Sequence, residues 1–102
     1  MADLVELQSL TKKDPELYRE EVLGIYEEFN ELMTEFYEQP SASHPRLTEI
    51  IKFLSQVCLY FTQEMSLFPG KIVKILDSYY QTLFVEFRKI VFGAIKLLRN
   101  RD

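Results

Sequence analysis

The chain has one cysteine, one histidine, no tryptophan, three glycines and four prolines in 102 residues. A lone cysteine cannot close an internal disulfide, so packing alone must hold the fold. Asp3 and Glu6 interrupt any apolar stretch after Met1, which predicts no secretory leader and a reducing compartment, cytosol or nucleus. Long hydrophobic runs are also missing. Lys52, Glu64, Lys71, Lys74, Asp77, Glu86 and Lys96 break every window of about 18 apolar residues, so no membrane span is expected. So few glycines and prolines cannot supply the turns that an all-β sandwich needs every eight to twelve residues or so.

What is present is globular composition, 47% hydrophobic and 27% charged, enough for one core and one helical domain over residues 1–102. The net charge of −4 conceals an asymmetry. Up to Pro40, eleven acids stand against Lys12, Lys13 and Arg19, leaving −8. Beyond it, nine bases stand against five acids, leaving +4. Two readings fit: solvated helix faces that attract one another weakly, or two ends that meet different partners.

Asp14-Pro15-Glu16 predicts a helix start, because Asp14 can cap the free amides of a first turn and Pro15 needs no amide partner there. Tyr18, Val22, Ile25, Phe29, Leu32, Met33 and Phe36 then recur at steps of three and four, with Glu20, Glu27, Glu28, Glu31, Glu35 and Glu38 between them. This long amphipathic helix should stop before Pro40. A short helix from Asp3 to about Leu10 is expected ahead of it, with Thr11 to Lys13 as the joint.

After the breaker cluster Pro40 to Pro45, a central helix should run back carrying Leu47, Ile50, Ile51, Leu54, Val57, Cys58 and Phe61, with Arg46, Glu49, Lys52, Ser55 and Gln56 outside. Phe68-Pro69-Gly70 should end the next loop. Ile72, Ile75, Leu76 and Tyr79 mark a short helix. Phe84, Phe87, Ile90, Val91, Ala94, Ile95 and Leu98 mark the last, with Arg88, Lys89, Lys96 and Arg99 turned outward. Gly24 and Gly93 fall mid-helix, where small size would let another helix approach. Tyr79 and Tyr80 cannot face the same way, so at least one tyrosine should be exposed. The fold class is all-α, built of antiparallel helix pairs, either a HEAT-like α-solenoid fragment or a small helical bundle.

Catalytic signals are poor. His44 lies in a loop, and pairing it with Cys58 would require that loop to fold onto a buried helical face; Cys58 reads as a small core hydrophobe. Di-metal chemistry in a bundle needs an inward Glu-x-x-His arrangement, and no histidine lies on a predicted helix. The glycines are isolated and form no phosphate loop. No enzyme activity, cofactor or metal is expected, and no RNA-binding signature is present.

Leu7-Gln8-Ser9-Leu10-Thr11-Lys12-Lys13-Asp14-Pro15-Glu16-Leu17-Tyr18-Arg19-Glu20-Glu21 resembles the opening of the Sda (severe depolymerisation of actin) family. Gln39-Pro40, Glu49 to Val57, Phe68-Pro69 and Leu97-Leu98-Arg99-Asn100 follow as successive landmarks of the same N-terminal region. The resemblance implies a HEAT-like helical-repeat scaffold, a nuclear and nucleolar location, and a non-catalytic role in assembly and export of the large ribosomal subunit. It also implies much longer relatives, of which this chain corresponds to the N-terminal part. Where the family starts its last helix with Asp-Pro, this sequence reads Leu83-Phe84-Val85-Glu86, which predicts that the last two helices are nearly continuous.

The expected function is therefore a surface-presenting module. Glu27, Glu28, Glu31 and Glu35 would meet basic pre-ribosomal proteins or assembly factors; Arg88, Lys89, Lys96 and Arg99 would meet acidic partners, or rRNA weakly or indirectly. Phe92, Ile95 and Leu98 are candidates for an uncovered apolar flank that drives self-association. The alternative is a free-standing helical adaptor or dimerisation domain unrelated to ribosomes.

Overall fold

The computed structural model describes residues 3–79, 81–83 and 85–99. Among them the fold is all-α: α1 (Leu4–Lys13), α2 (Arg19–Glu38), α3 (Pro45–Val57) followed by one 3-10 turn (Cys58–Tyr60), α4 (Phe68–Tyr79) and α5 (Val85–Arg99), with no strand. Phe84, Tyr80 and Asn100, which figure in the expectations above, lie outside the described residues.

α1 starts where the sequence places it. Asp3 Oδ1 accepts from the Glu6 amide at 2.8 Å, and Lys12 and Lys13 close the helix at its negative end. The expected joint is helical instead: Thr11 is fully buried, which holds the last turn against the core. The start of α2 is also corrected. Asp14 does accept from the Leu17 amide, at 3.3 Å, but its own amide already donates to the Leu10 carbonyl as the end of α1. Residues 15–18 therefore form a tight turn with i→i+3 bonds, Tyr18 to Pro15 at 3.2 Å and Arg19 to Glu16 at 3.4 Å, and regular α-helix begins at Arg19.

Val22, Phe29, Met33 and Phe36 bury one face of α2. Arg46 of α3 reaches back to Glu28, so α3 returns along α2. α3 packs against α1, α2 and α5. It is buried nearly all round through Leu47, Ile50, Ile51, Phe53, Leu54 and Val57. Ser55, expected outside, is inside. Its hydroxyl donates to the Ile51 carbonyl at 2.7 Å, which satisfies the polar group inside the core.

α4 begins at Phe68, earlier than expected, because Pro69 is tolerated in a first turn where no amide bond is needed. α4 and α5 are not nearly continuous: Thr82 and Leu83 donate back to the Tyr79 carbonyl at 2.9 and 3.0 Å, Leu83 is buried, and the two helices pack on each other. Two ring clusters line α2. Phe29 meets Phe68 edge-on at 5.2 Å, and Phe36 meets Tyr79 at 5.2 Å and Phe87 at 5.4 Å. These join α2 to α4 and α5.

The two mid-helix glycines do not serve close packing. A Cβ at Gly24 or Gly93 would meet nothing within 4 Å, so neither permits a helix crossing. Gly93 only weakens α5. Gly93→Ala is expected to stabilise the protein by about 0.5–1 kcal/mol, raising the thermal midpoint by a few degrees. A lowered midpoint in a melting experiment would show that a neighbour needs the space.

Candidate interaction surfaces

The acidic residues singled out in the sequence divide by their partners. Glu27, Glu31 and Glu35 follow one another at four-residue steps along α2 and all three are exposed. Glu28 belongs to the fold. Arg46 grips it with two hydrogen bonds, Nε to Oε2 at 2.8 Å and Nη2 to Oε1 at 3.0 Å. Those bonds hold the Glu28 carboxyl below its ordinary range and raise Arg46 above its own. The pair is partly solvated and worth about 0.2–1 kcal/mol. A similar local pair joins Glu16 to Arg19, lowering the Glu16 carboxyl through a side-chain hydrogen bond. Arg19 also pairs with Glu64 and lies 5.3 Å from the Phe61 ring, pinning the start of α2 to the segment after α3.

The basic residues differ in their exposure and partners too. Lys89, Lys96 and Arg99 are exposed on α5, whereas Arg88 is half-buried and donates to the Leu83 carbonyl at 3.3 Å. Lys89 pairs with Glu86 at 3.9 Å. On the far side, Lys71 of α4 donates to Asn30 Oδ1 at 2.6 Å and lies over the Tyr26 ring, so the flank of α2 next to the acidic ridge is closed by a cation.

The expected apolar flank is smaller than the sequence implied. Phe92 is 42% exposed and Leu98 half-buried, but Ile95 is buried. Ile95 turns inward because Val91, Ala94 and Ile95 share the side of α5 that faces the core. Two shallow grooves meet at Pro69 and Leu98, with Leu59 and Val73 at their edges. Among the described residues the exposed tyrosine is Tyr37.

His44 and Cys58 flank α3 at opposite ends. Thirteen helical residues at about 1.5 Å each separate them by about 20 Å, so they form no dyad. His44 donates from Nε2 to the Gln39 carbonyl at 2.9 Å and packs on Phe36, closing the turn between α2 and α3. Cys58 is buried. Among the described residues no three His, Cys, Asp or Glu side chains converge as metal ligands, and no helix is long and apolar enough to cross a membrane.

One feature escaped the sequence reading. α1 packs on α3 and leaves a groove of about 740 Å³ beside the first turns of α2, floored by Leu4, Leu7 and Ile25 and bordered by Glu20, Glu21 and Glu49. Leu4, Leu7 and Ile25 carry the periodicity of core residues, and only the placement of α1 exposes part of them together. No sequence signal marks the groove; in the fold, the open space above Gly24 widens it.

No family model matches the chain. Curated relatives do. It is 34% identical over 100 residues to the Dictyostelium discoideum protein SDA1 homolog, covering 98% of this chain and 13% of that one. It is 30% identical to the Xenopus tropicalis SDA1 homolog, covering 98% and 14%, and 29% identical to Schizosaccharomyces pombe sda1, covering 97% and 14%. The chain thus spans about one seventh of the length of these relatives. Similarity this continuous, from α1 to the end of α5, agrees with the resemblance carried by the Leu7 to Glu21 segment and the later landmarks: the chain belongs to the SDA1 family, as the counterpart of one region of those longer proteins.

Proposed function

We propose that the chain is a non-catalytic interaction module of a nuclear and nucleolar factor for large ribosomal subunit assembly and export, folded as a single helical domain over residues 1–102. Its paired helices suit the HEAT-like repeat that the family resemblance implies. Within it, the acidic ridge of α2 receives basic pre-ribosomal proteins or assembly factors, and Arg88, Lys89, Lys96 and Arg99 serve acidic partners or a weak rRNA contact.

The observation that carries this reading is the uncompensated stripe Glu27, Glu31 and Glu35. Like charges four residues apart destabilise a helix by about 0.2–0.5 kcal/mol per pair. Among the described residues no ion pair relieves these three, in contrast to Glu28. A surface that costs stability and supports no internal contact is suited to a positively charged partner.

Replacing Glu27, Glu31 and Glu35 together by lysine tests it. Helicity by circular dichroism should stay near the starting value, while capture of pre-ribosomal proteins from nuclear extract should fall and lose its salt sensitivity. Unchanged capture would overturn the reading. Glu28 is left out of the set because its reversal would place a cation against Arg46.

The alternative of a self-associating adaptor draws on the apolar grooves at Leu98. Concentration-dependent sedimentation, abolished by Val73→Glu, would favour it.

A further inference from the structure

The groove between α1, α2 and α3 has a definite chemical character. Its floor is apolar, from Leu4, Leu7 and Ile25, and Gly24 leaves it open where any other side chain would project. Its border is acidic. Glu20 and Glu21 are exposed and enter no ion pair among the described residues, and Glu49 contributes a third carboxylate.

Among the described residues that line this groove the one cation, Arg46, is spent. Its guanidinium holds both carboxylate oxygens of Glu28 and lies 3.8 Å from Glu49. Asp3, at the upper edge, is engaged in capping α1. The groove also runs on past Leu4 to a second cleft, of about 410 Å³, beside the 76% exposed Val5.

We infer that this groove is a docking site for a basic amphipathic helix of a partner protein, with apolar anchors on Leu4, Leu7 and Ile25 and lysines or arginines on Glu20, Glu21 and Glu49. An apolar floor with a carboxylate border is complementary to a helix carrying one apolar stripe between cationic flanks. Phosphate-bearing ligands are disfavoured, because each would meet the carboxylates of Glu20, Glu21 and Glu49 around a floor whose lining cation, Arg46, is already paired; the exposed Lys52 lines the second cleft and not this floor. The inference rests on the reading of the chain as an interaction module but not on the Glu27, Glu31 and Glu35 ridge, which lies further along α2.

The test uses the 102-residue chain and a synthetic helical peptide with leucines at three- and four-residue spacing flanked by lysines. Titration calorimetry and amide-resolved NMR should show saturable binding with shifts centred on Leu4, Leu7, Gly24 and Glu49. A peptide with every lysine changed to glutamate should not bind. A Cβ at Gly24 meets nothing within 4 Å, so Gly24→Leu projects an uncharged side chain into the groove from an open position; it should melt no lower than the parent and bind at least about tenfold more weakly.

The pair Glu20→Lys with Glu21→Lys, on an exposed helix surface, should weaken binding similarly and serves as the second variant should Gly24→Leu misfold. Full affinity in a folded Gly24→Leu chain, or in the double variant, overturns the inference. So does a dimer that Gly24→Leu abolishes, which would assign the groove to a second copy. Replacing Glu27, Glu31 and Glu35 by lysine separates the two readings. If that change alone ends capture from extract, the ridge stands without the groove; if neither change matters, both fall.

Discussion

Phe36→Ala is expected to destabilise the protein by about 3–5 kcal/mol, the largest effect of any single truncation on α2. Phe36 is completely buried, and its ring meets Tyr79 of α4 at 5.2 Å, Phe87 of α5 at 5.4 Å and His44 of the α2–α3 turn at 5.5 Å. Removing it forfeits the transfer of a benzyl group from water and leaves a cavity whose walls belong to separate helices, so the site cannot collapse by moving one of them. For a domain of this size total stability is about 5–15 kcal/mol, so the loss is a large share of it. The thermal midpoint should fall by about 4–8 °C per kcal/mol. Urea denaturation with Val5→Ala as a control, a residue 76% exposed and expected to shift stability by less than about 0.5 kcal/mol, checks it. A Phe36→Ala chain that unfolded at the parent's midpoint would show that α2 does not close on α4 and α5.

Phe53→Ala should cost a comparable amount, about 3–5 kcal/mol, although the periodicity of α3 leaves Phe53 off the main apolar stripe. Phe53 is 2% exposed and lies at the cleft with Leu4, Val5 and Gln8, on the side of α3 that α1 covers. Its truncation should loosen α1 before the rest. Hydrogen exchange at the amides of α1 should therefore accelerate more than exchange within α3 or α5. Uniform acceleration would mean that α1 is an integral part of the cooperative unit and not a docked segment.

These two residues show where sequence reading succeeds and where it stops. Phe36 was legible because α2 carries one apolar face, and a stripe at three- and four-residue steps admits a single burial side. Phe53 was not, because a central helix is contacted from several directions and a one-stripe pattern cannot record how many neighbours surround it. Ser55 was misplaced for the same reason, and a local bond to the Ile51 carbonyl supports its inward position. Helix boundaries drifted where two signals competed for one residue, as at Asp14, which ends α1 and caps the turn that precedes α2.

The candidate surfaces divide along the same line. Glu27, Glu31 and Glu35 could be placed on one exposed ridge from spacing alone, but Glu28 at the neighbouring position is part of the fold because Arg46 arrives from the next helix. The acidic groove was beyond reach, since no local pattern says that α1 will lie on α3 and stand clear of α2.

The amino-acid order by itself determined an all-α chain, the polarity of each helix face, the inequality of charge between its two ends and the family to which it belongs. Periodicity acts over one or two helical turns, which is the range of helix type and face polarity, while the charge inequality and the family follow from the linear order of residues and need no knowledge of which helices meet. Only the tertiary structure decided which faces meet, which charges are neutralised across helices and where an apolar floor is left open beneath carboxylates. Each of these depends on pairs of residues far apart in the chain, whose separation is set by packing and not by spacing.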